Sequence, residues 1–296
     1  MLNNRETRAG KGLVTVYMPT CNRLTLLQRA VDSVLSQTYP DIELIIVDDA
    51  STDGTWGYLL SLAERYANIR VFRQDKPQGA CVARNIAIQQ ANGYFITGLD
   101  DDDEYTPERV ATLVSAYSSD MAFVCHGFFW HYGGKSKTVD SSARDISLGD
   151  IFDYNFAGNQ VLTETSKLRD IGGFDPRFVA CQDYDTWTRL IHKHGPARRI
   201  KGASYYLHQG HTGPRVTSKP NKAKGYQQYY QKHEKLFTER NRANQRYMRR
   251  VALRESYSLI ELLADLRFGF CRRKTRYFLS RSFPFMAQLR QNWLRK

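Results

Sequence analysis

The chain has 296 residues with 42% apolar content, enough to bury one large core, and its 43 Lys+Arg against 30 Asp+Glu give a formal charge of +13. The excess is local: residues 221–296 carry 19 basic against 5 acidic residues, and the rest carries 24 against 25. A near-neutral body with a basic tail argues for an enzyme docked on an anionic surface rather than a nucleic-acid binder, while five scattered cysteines without CxxC spacing point to neither a disulfide framework nor a zinc site, and so to a reducing compartment.

The first 12 residues are polar, lack the apolar stretch of a secretion signal, and read as a disordered lead-in. Leu13–Met18 is a β-rich run ending at Pro19, after which Leu24, Leu27, Val31, Val34 and Leu35 recur at helical spacing until Tyr39-Pro40. Ile42–Val47 is an unbroken apolar run, as expected of a strand buried on both faces, and Asp48–Gly54 is turn chemistry before a helix over Trp56–Tyr66. Ile69–Phe72, Ala80–Ala91 and Tyr94–Leu99 continue as strand, helix and strand, and Asp100–Asp103 follow. Alternation of this kind predicts a Rossmann-like α/β fold, a mostly parallel sheet flanked by helices, with ligands beyond the carboxyl ends of the strands.

Past about residue 125 the alternation loosens. Lys135–Arg144 reads as a loop, Tyr184–Ile191 as a helix, and Arg198–Leu207 as a strand returning toward the sheet. The basic tail predicts helices over Tyr226–Glu239, Arg246–Phe268 and Thr275–Trp293. No run approaches the roughly 20 apolar residues that span a bilayer, so membrane contact is expected to be peripheral.

Four aspartates in a row after an apolar strand repel one another, and a hard divalent cation with a diphosphate in its shell resolves that repulsion; a solvated acidic turn before the helix near Pro107 is the alternative. Asp48-Asp49 also close a buried strand, where Asp53 and Thr55 supply turn and cap, but two adjacent carboxylates suit a heterocyclic N–H or ribose hydroxyls better. Arg84, near a helix start, can face a phosphate or hold the acidic loops. Asp183, before Trp187, is either a helix cap or a general base for an acceptor hydroxyl.

Taken in order, Pro19-Thr20-x-Asn22-Arg23, Val47-Asp48-Asp49-x-Ser51-x-Asp53-Gly54-Thr55, Ala83-Arg84-Asn85, Leu99-Asp100-Asp101-Asp102-Asp103, Gly172-Gly173-Phe174-Asp175 and Asp183…Trp187…Arg189-Leu190 resemble the family 2 glycosyltransferases of the GT-A fold, over roughly residues 13–210. The resemblance implies an inverting, metal-dependent enzyme of cell-surface polysaccharide or lipopolysaccharide synthesis. It implies transfer from a nucleotide sugar, first a UDP-sugar, to a glycan or lipid-linked acceptor. Pro19 and Asp49 would meet the nucleobase, Thr20, Arg23 and Arg84 would lie at the nucleotide, and Asp100 and Asp101 would face ribose and donor sugar. Asp102 would hold Mn²⁺ or Mg²⁺, and Asp183 would be the base. His208 and His211 follow the last strand, where relatives sometimes place a further metal ligand, and His208 is the candidate. Gln182 departs from the pattern, which has Glu there.

The expected organisation is a catalytic domain over 13–220, divided near 125 into nucleotide-sugar and acceptor halves, and a basic aromatic helical tail over 221–296. The tail's cations and aromatics suit an anionic membrane, which puts the enzyme in the cytoplasm at the inner face of the cell membrane. A nucleotidyltransferase-like enzyme shares the sheet and the carboxylates but not the Gly-Gly-Phe-Asp and Asp183…Trp187 elements. A nucleic-acid binder would have to rely on the tail alone.

Overall fold

The computed structural model describes residues 12–132, 134–208, 219–283 and 285. The polar lead-in up to residue 11, His211 and Trp293 lie outside the described residues. The chain divides into two compact units, one of residues 1–151, 155–177 and 182–213, the other of 152–154, 178–181 and 214–296.

The first unit opens with β1 (Val14–Thr20), α1 (Leu24–Leu35), β2 (Ile42–Asp48), α2 (Thr55–Arg65), β3 (Ile69–Arg73), α3 (Ala80–Gln90) and β4 (Phe95–Gly98). It continues through β5 (Glu104–Tyr105), α4 (Arg109–Ala116), β6 (Val124–Tyr132), β7 (Lys135–Val139), β8 (Arg144–Ile146), α5 (Leu148–Asp153, whose last two residues count with the second unit), β9 (Thr163–Glu164), α6 (Thr165–Asp170), α7 (Gln182–His194) and β10 (Ala197–His208). The first sheet runs β3-β2-β1-β4-β9, parallel except for the antiparallel edge strand β9. Every residue of β1 and β2 is buried, as expected of central strands covered on both faces. Val14, Val16 and Met18 of β1 and Leu44 and Ile46 of β2 pack with Leu27 and Val31 of α1 and Leu59 of α2, and each such side chain contributes about 1.5–3 kcal/mol by leaving water. This core fixes the carboxyl ends of β1, β2 and β4 side by side.

A second sheet, β5-β10-β6-β7 with β8 also paired to β10, begins where the alternation loosens. The strand over Arg198–Leu207 is therefore the centre of a new sheet. Lys135–Arg144 is a correction: Lys135–Val139 forms β7, antiparallel to β6. Its residues Lys135, Ser136, Lys137 and Thr138 are all exposed, so the strand has no apolar alternation to reveal it; backbone pairing holds it.

The second unit contains α8 (Lys219–His233), a 3₁₀ turn over Glu234–Leu236, α9 (Glu239–Leu253), α10 (Leu259–Leu266) and α11 (Cys271–Ser282). The single helix expected over Arg246–Phe268 is two. Arg254 takes a left-handed conformation (φ 58°), and Ser258 with Glu261 forms a capping box that starts α10. Helix α8 likewise stops early, and Thr238 with Asn241 caps α9. Tyr247, Tyr257 and Leu262 form a small core with Tyr277 and Phe278 beside it, and Tyr229 is fully buried. Much of the tail's aromatic content is thus internal packing, whereas Ile260, Leu263, Phe283 and Phe285 are exposed. No helix among the described residues is long and apolar enough to cross a membrane, and all five cysteines are free.

Candidate active site

The loops after β1 and β2 are locked together. Asn22 (φ 53°) and Ala50 (φ 60°) both adopt the left-handed conformation that non-glycine residues avoid. The Asn22 N–H donates to Ser51 Oγ (2.8 Å), and Asn22 Oδ1 accepts from the Thr52 N–H (2.7 Å). Asp53 ties in both helix starts, accepting from the Leu24 N–H (3.2 Å) and from Thr55 Oγ1 (2.6 Å). Asp49 is buried and accepts from Gln74 Nε2 (2.6 Å) and the N–H groups of Gln78 (2.7 Å) and Gly79 (2.8 Å), so it pins the loop that leads into α3. Pro19 lies buried within β1, opposite Val47 of β2.

The four aspartates after β4 are each held differently. Asp101 accepts from Thr20 Oγ1 (2.8 Å) and Arg23 Nη1 (2.9 Å), and Arg23 also reaches Asp102 Oδ2 (3.2 Å). Arg84 Nη2 donates to Asp100 Oδ1 (2.8 Å), as does Gln160 Nε2 (3.3 Å), which is itself positioned by Tyr17 OH on its Oε1 (2.8 Å). Asp103 accepts from Tyr205 OH (2.8 Å) and the His208 N–H (2.9 Å). Burial pushes the Asp101 carboxyl up to about 6 against the pull of Arg23. Burial, then the charges of Asp102 and Asp100, also raise Asp103.

Asp183 stands in the first turn of α7, just after Cys181 in a left-handed conformation (φ 60°). Asn155 Nδ2 donates to its Oδ2 (3.0 Å) and also reaches Gly158 O (3.2 Å), which accepts from Trp187 Nε1 (3.1 Å) on the same helix. Burial raises Asp183 to about 6, opposed by the Tyr184 N–H and by Arg84 and assisted by Asp100. Arg84 also donates to Gln182 Oε1 (3.3 Å) and lies 5.1 Å from the centre of the Phe174 ring. Burial is the largest influence and works against its charge, but Asp100, Cys81 and Tyr17 together outweigh it and raise its pKa. The Gly-Gly-Phe-Asp turn is fixed by Asn85, whose amide donates to Phe174 O (2.7 Å) and accepts from the Phe174 N–H (2.8 Å). Gly173 has φ 67°, and a Cβ there would run into Asn85 Oδ1, so this position requires glycine.

The structure therefore brings Thr20, Arg23, Asp101 and Asp102 into one group, and Arg84, Asp100 and Asp183 into a second that joins it through the aspartate run. His208 Nε2 lies 2.6 Å from Glu104 Oε1. No cluster of three or more His, Cys, Asp or Glu arranged to hold a metal occurs among the described residues. The donors present are hard carboxylate oxygens crowded enough to repel, which fits a divalent cation carried on one or two carboxylates plus phosphates rather than an all-protein cage. Sequence reading missed Tyr17, Asn155 and Gln160: single polar residues inside an apolar strand or an irregular stretch carry no spacing signal.

The model of the family described as glycosyl transferase family 2 matches residues 15–178, the stretch that holds both carboxylate loops and Arg84. The chain belongs to that family. This family 2 glycosyltransferase is 35% identical over 247 residues, 79% of its length and 85% of the relative's, to a putative colanic acid biosynthesis glycosyl transferase, WcaA, of Escherichia coli K12. It is 28% identical over 202 residues (67% and 78%) to the Escherichia coli UDP-Glc:alpha-D-GlcNAc-diphosphoundecaprenol beta-1,3-glucosyltransferase WfaP. Among solved structures it resembles the mannosyltransferase PcManGT of Pyrobaculum calidifontis, in complex with GDP-Man and Mn²⁺ (TM-score 0.63, 17% identity, 96% of this chain and 88% of that one). It also resembles Staphylococcus aureus TarS in complex with UDP-GlcNAc (TM-score 0.58, 19%, 92% and 73%). Both bear out the GT-A type α/β fold, and the C-terminal helices are present.

Proposed function

We propose that the enzyme transfers a sugar, with inversion, from a nucleotide sugar to a hydroxyl of a glycan or lipid-linked acceptor in cell-surface polysaccharide synthesis. The observation that carries this reading is Arg84. It is paired to Asp100 of the acidic run (2.8 Å), donates to Gln182 next to Asp183 and acts electrostatically on Asp183, which supports donor carboxylates and base candidate gathered around one arginine. Asp183, with its proton affinity raised toward neutrality, accepts the proton of the attacking hydroxyl. Asn155 donates to its Oδ2 (3.0 Å) and so orients the carboxylate for that proton.

Pro19, Thr20, Arg23 and Asp49 form the nucleotide end, and Arg84, Asp100 and Asp101 the end of ribose and donor sugar. Asp102 is the protein ligand for Mn²⁺ or Mg²⁺, and His208 would join it by exchanging Glu104 for the cation. Bound there, the cation stabilises the charge of the leaving diphosphate. A UDP-sugar is the first donor to try, since WfaP is named for UDP-Glc and TarS was solved with UDP-GlcNAc; PcManGT with GDP-Man makes GDP-sugars second. The basic tail, with Ile260, Leu263, Phe283 and Phe285 exposed, holds the enzyme on the anionic inner face of the cell membrane, where acceptors like that in WfaP's name reside.

The test is thermal stabilisation by a panel of nucleotide sugars with and without Mn²⁺, followed by transfer to a diphospholipid-linked sugar. Cation-dependent stabilisation by one nucleotide class, with an inverted anomeric product, is expected. Equal stabilisation without cation, or a retained anomer, would overturn it.

A further inference from the structure

Strand β6 carries Phe128, Trp130 and Tyr132 at alternate positions, which the two-residue period of a strand places on one face of the second sheet. Their rings form a ladder of inclined rungs, with centroids 6.3 Å apart and planes at 58° from Phe128 to Trp130, and 6.4 Å apart and edge-to-face at 78° from Trp130 to Tyr132, so each ring offers its face in a different direction. Exposure rises outward, from a half-buried Phe128 to 36% for Trp130 and 47% for Tyr132. Lys137 and Lys135 of β7 stand opposite Trp130 and Tyr132 and are exposed. The other face of β6 is occupied: Phe129 stacks on Tyr206 (4.9 Å), and His131 lies 4.8 Å from the His208 ring. On the ladder face Phe128 packs against the main core, whereas Trp130 and Tyr132 reach solvent.

The inner end of the ladder meets the loop that holds Asp183. A Cβ at Gly158 would lie 3.8 Å from the Phe128 ring, and the Gly158 carbonyl is where the Asn155 and Trp187 donors converge. Phe128 also lines a small cavity with Gln160, the partner of Asp100. From these positions we infer that the Phe128-Trp130-Tyr132 ladder is a subsite for the acceptor glycan, its inclined rings meeting successive sugar residues of a twisted chain that leads up to the hydroxyl at Asp183.

The chemistry favours carbohydrate. Sugar rings present C–H faces that lie on the electron-rich faces of aromatic rings, while their hydroxyls need donors at the rim, which Lys135 and Lys137 supply. The ladder is one side chain wide, too narrow for the buried core of a stable protein interface. Its ring spacing is on the scale of one sugar residue, and its rigid strand lowers the ordering cost of binding a flexible chain.

The inference rests on Asp183 as the base, and the test separates the two. Full-length protein and the variant Trp130→Ala/Tyr132→Ala are presented with immobilised glucan, galactan and N-acetylhexosamine oligomers of increasing length. Wild type should retain at least one series, more strongly as length approaches the three rings of the ladder. The double variant should bind about tenfold or more weakly, with an unchanged melting temperature and unchanged nucleotide-sugar binding. In transfer assays the variant should raise KM for a long acceptor while kcat at saturation stays near wild type. Retention of no series by wild type, or equal retention by the variant, overturns the subsite and leaves the Asp183 result standing. Near-normal turnover of Asp183→Asn overturns the base and leaves oligomer binding standing.

Discussion

Asp183→Asn distinguishes a catalytic base from a helix cap because the two roles predict opposite signs of stability change. Burial raises the carboxyl from 3.8 to about 6, a shift of about 2 units at about 1.4 kcal/mol each, so the ionised group costs the folded state about 3 kcal/mol above pH 6. Asn keeps one acceptor oxygen where Asp183 serves both the Asn155 amide and the Tyr184 N–H, and losing one such bond costs about 1 kcal/mol. The variant should therefore be more stable by about 2 kcal/mol at pH 7.5. Because the native state keeps this proton to higher pH than the unfolded chain, wild-type stability falls as pH rises from about 4 to 6, and the advantage shrinks to about zero near pH 4.5. The raised Asp101 is common to both proteins and cancels in the difference. Denaturant unfolding at the two pH values, without donor, measures this. Turnover should drop by roughly 10²–10⁴ with donor affinity unchanged, and wild-type activity should rise with pH along a limb near 6. A variant less stable at every pH, with near-normal turnover, would make Asp183 a cap and refute the reasoning.

Asp102→Asn removes the charge of the proposed metal ligand but no core volume, so it should abolish transfer and the Mn²⁺-dependent part of nucleotide-sugar binding, read by isothermal titration, without lowering the melting temperature. Arg84→Ala should move the acid limb of the pH profile upward, because Arg84 lowers the Asp183 pKa and its loss leaves that carboxyl facing Asp100 alone; an unmoved limb would separate Arg84 from the base. Removing the tail is a poor test of membrane docking, since residues 152–154 and 178–181 belong to the same unit. Ile260→Ser/Leu263→Ser changes only exposed side chains and should weaken co-sedimentation with anionic vesicles, and wild-type binding should fall as salt screens the basic residues.

The parts of the site that sequence exposes are those with strong local chemistry. Unbroken apolar runs mark β1 and β2 because both faces are covered, and the acidic loops announce themselves because like charges seldom cluster without cause. What stays hidden depends on partners far along the chain. Asn155 and Gln160 act through residues 28 and 60 positions away, and nothing in their neighbours' types encodes that. Strand β7 is hidden for the complementary reason: its residues are exposed and polar, and only its register with β6 makes it a strand. The tail misled differently, because helical spacing continues across Arg254 while the Ser258–Glu261 capping box breaks the helix.

Gln182 acquires a physical meaning in this network. With glutamate there, as the family pattern has it, one arginine would neutralise Asp100, Asp183 and a third carboxylate together. Glutamine still accepts from Arg84 (3.3 Å) but leaves its charge to two carboxylates. A further anion beside Asp183 would raise its pKa beyond the value that burial already sets and keep the proposed base protonated near neutral pH. The amide thus keeps the geometry of Arg84 while letting Asp183 ionise, so the departure from the family pattern is compatible with base catalysis. Any acceptor contact that needs a negative charge at that position is lost, and a neutral hydrogen-bonding partner takes its place.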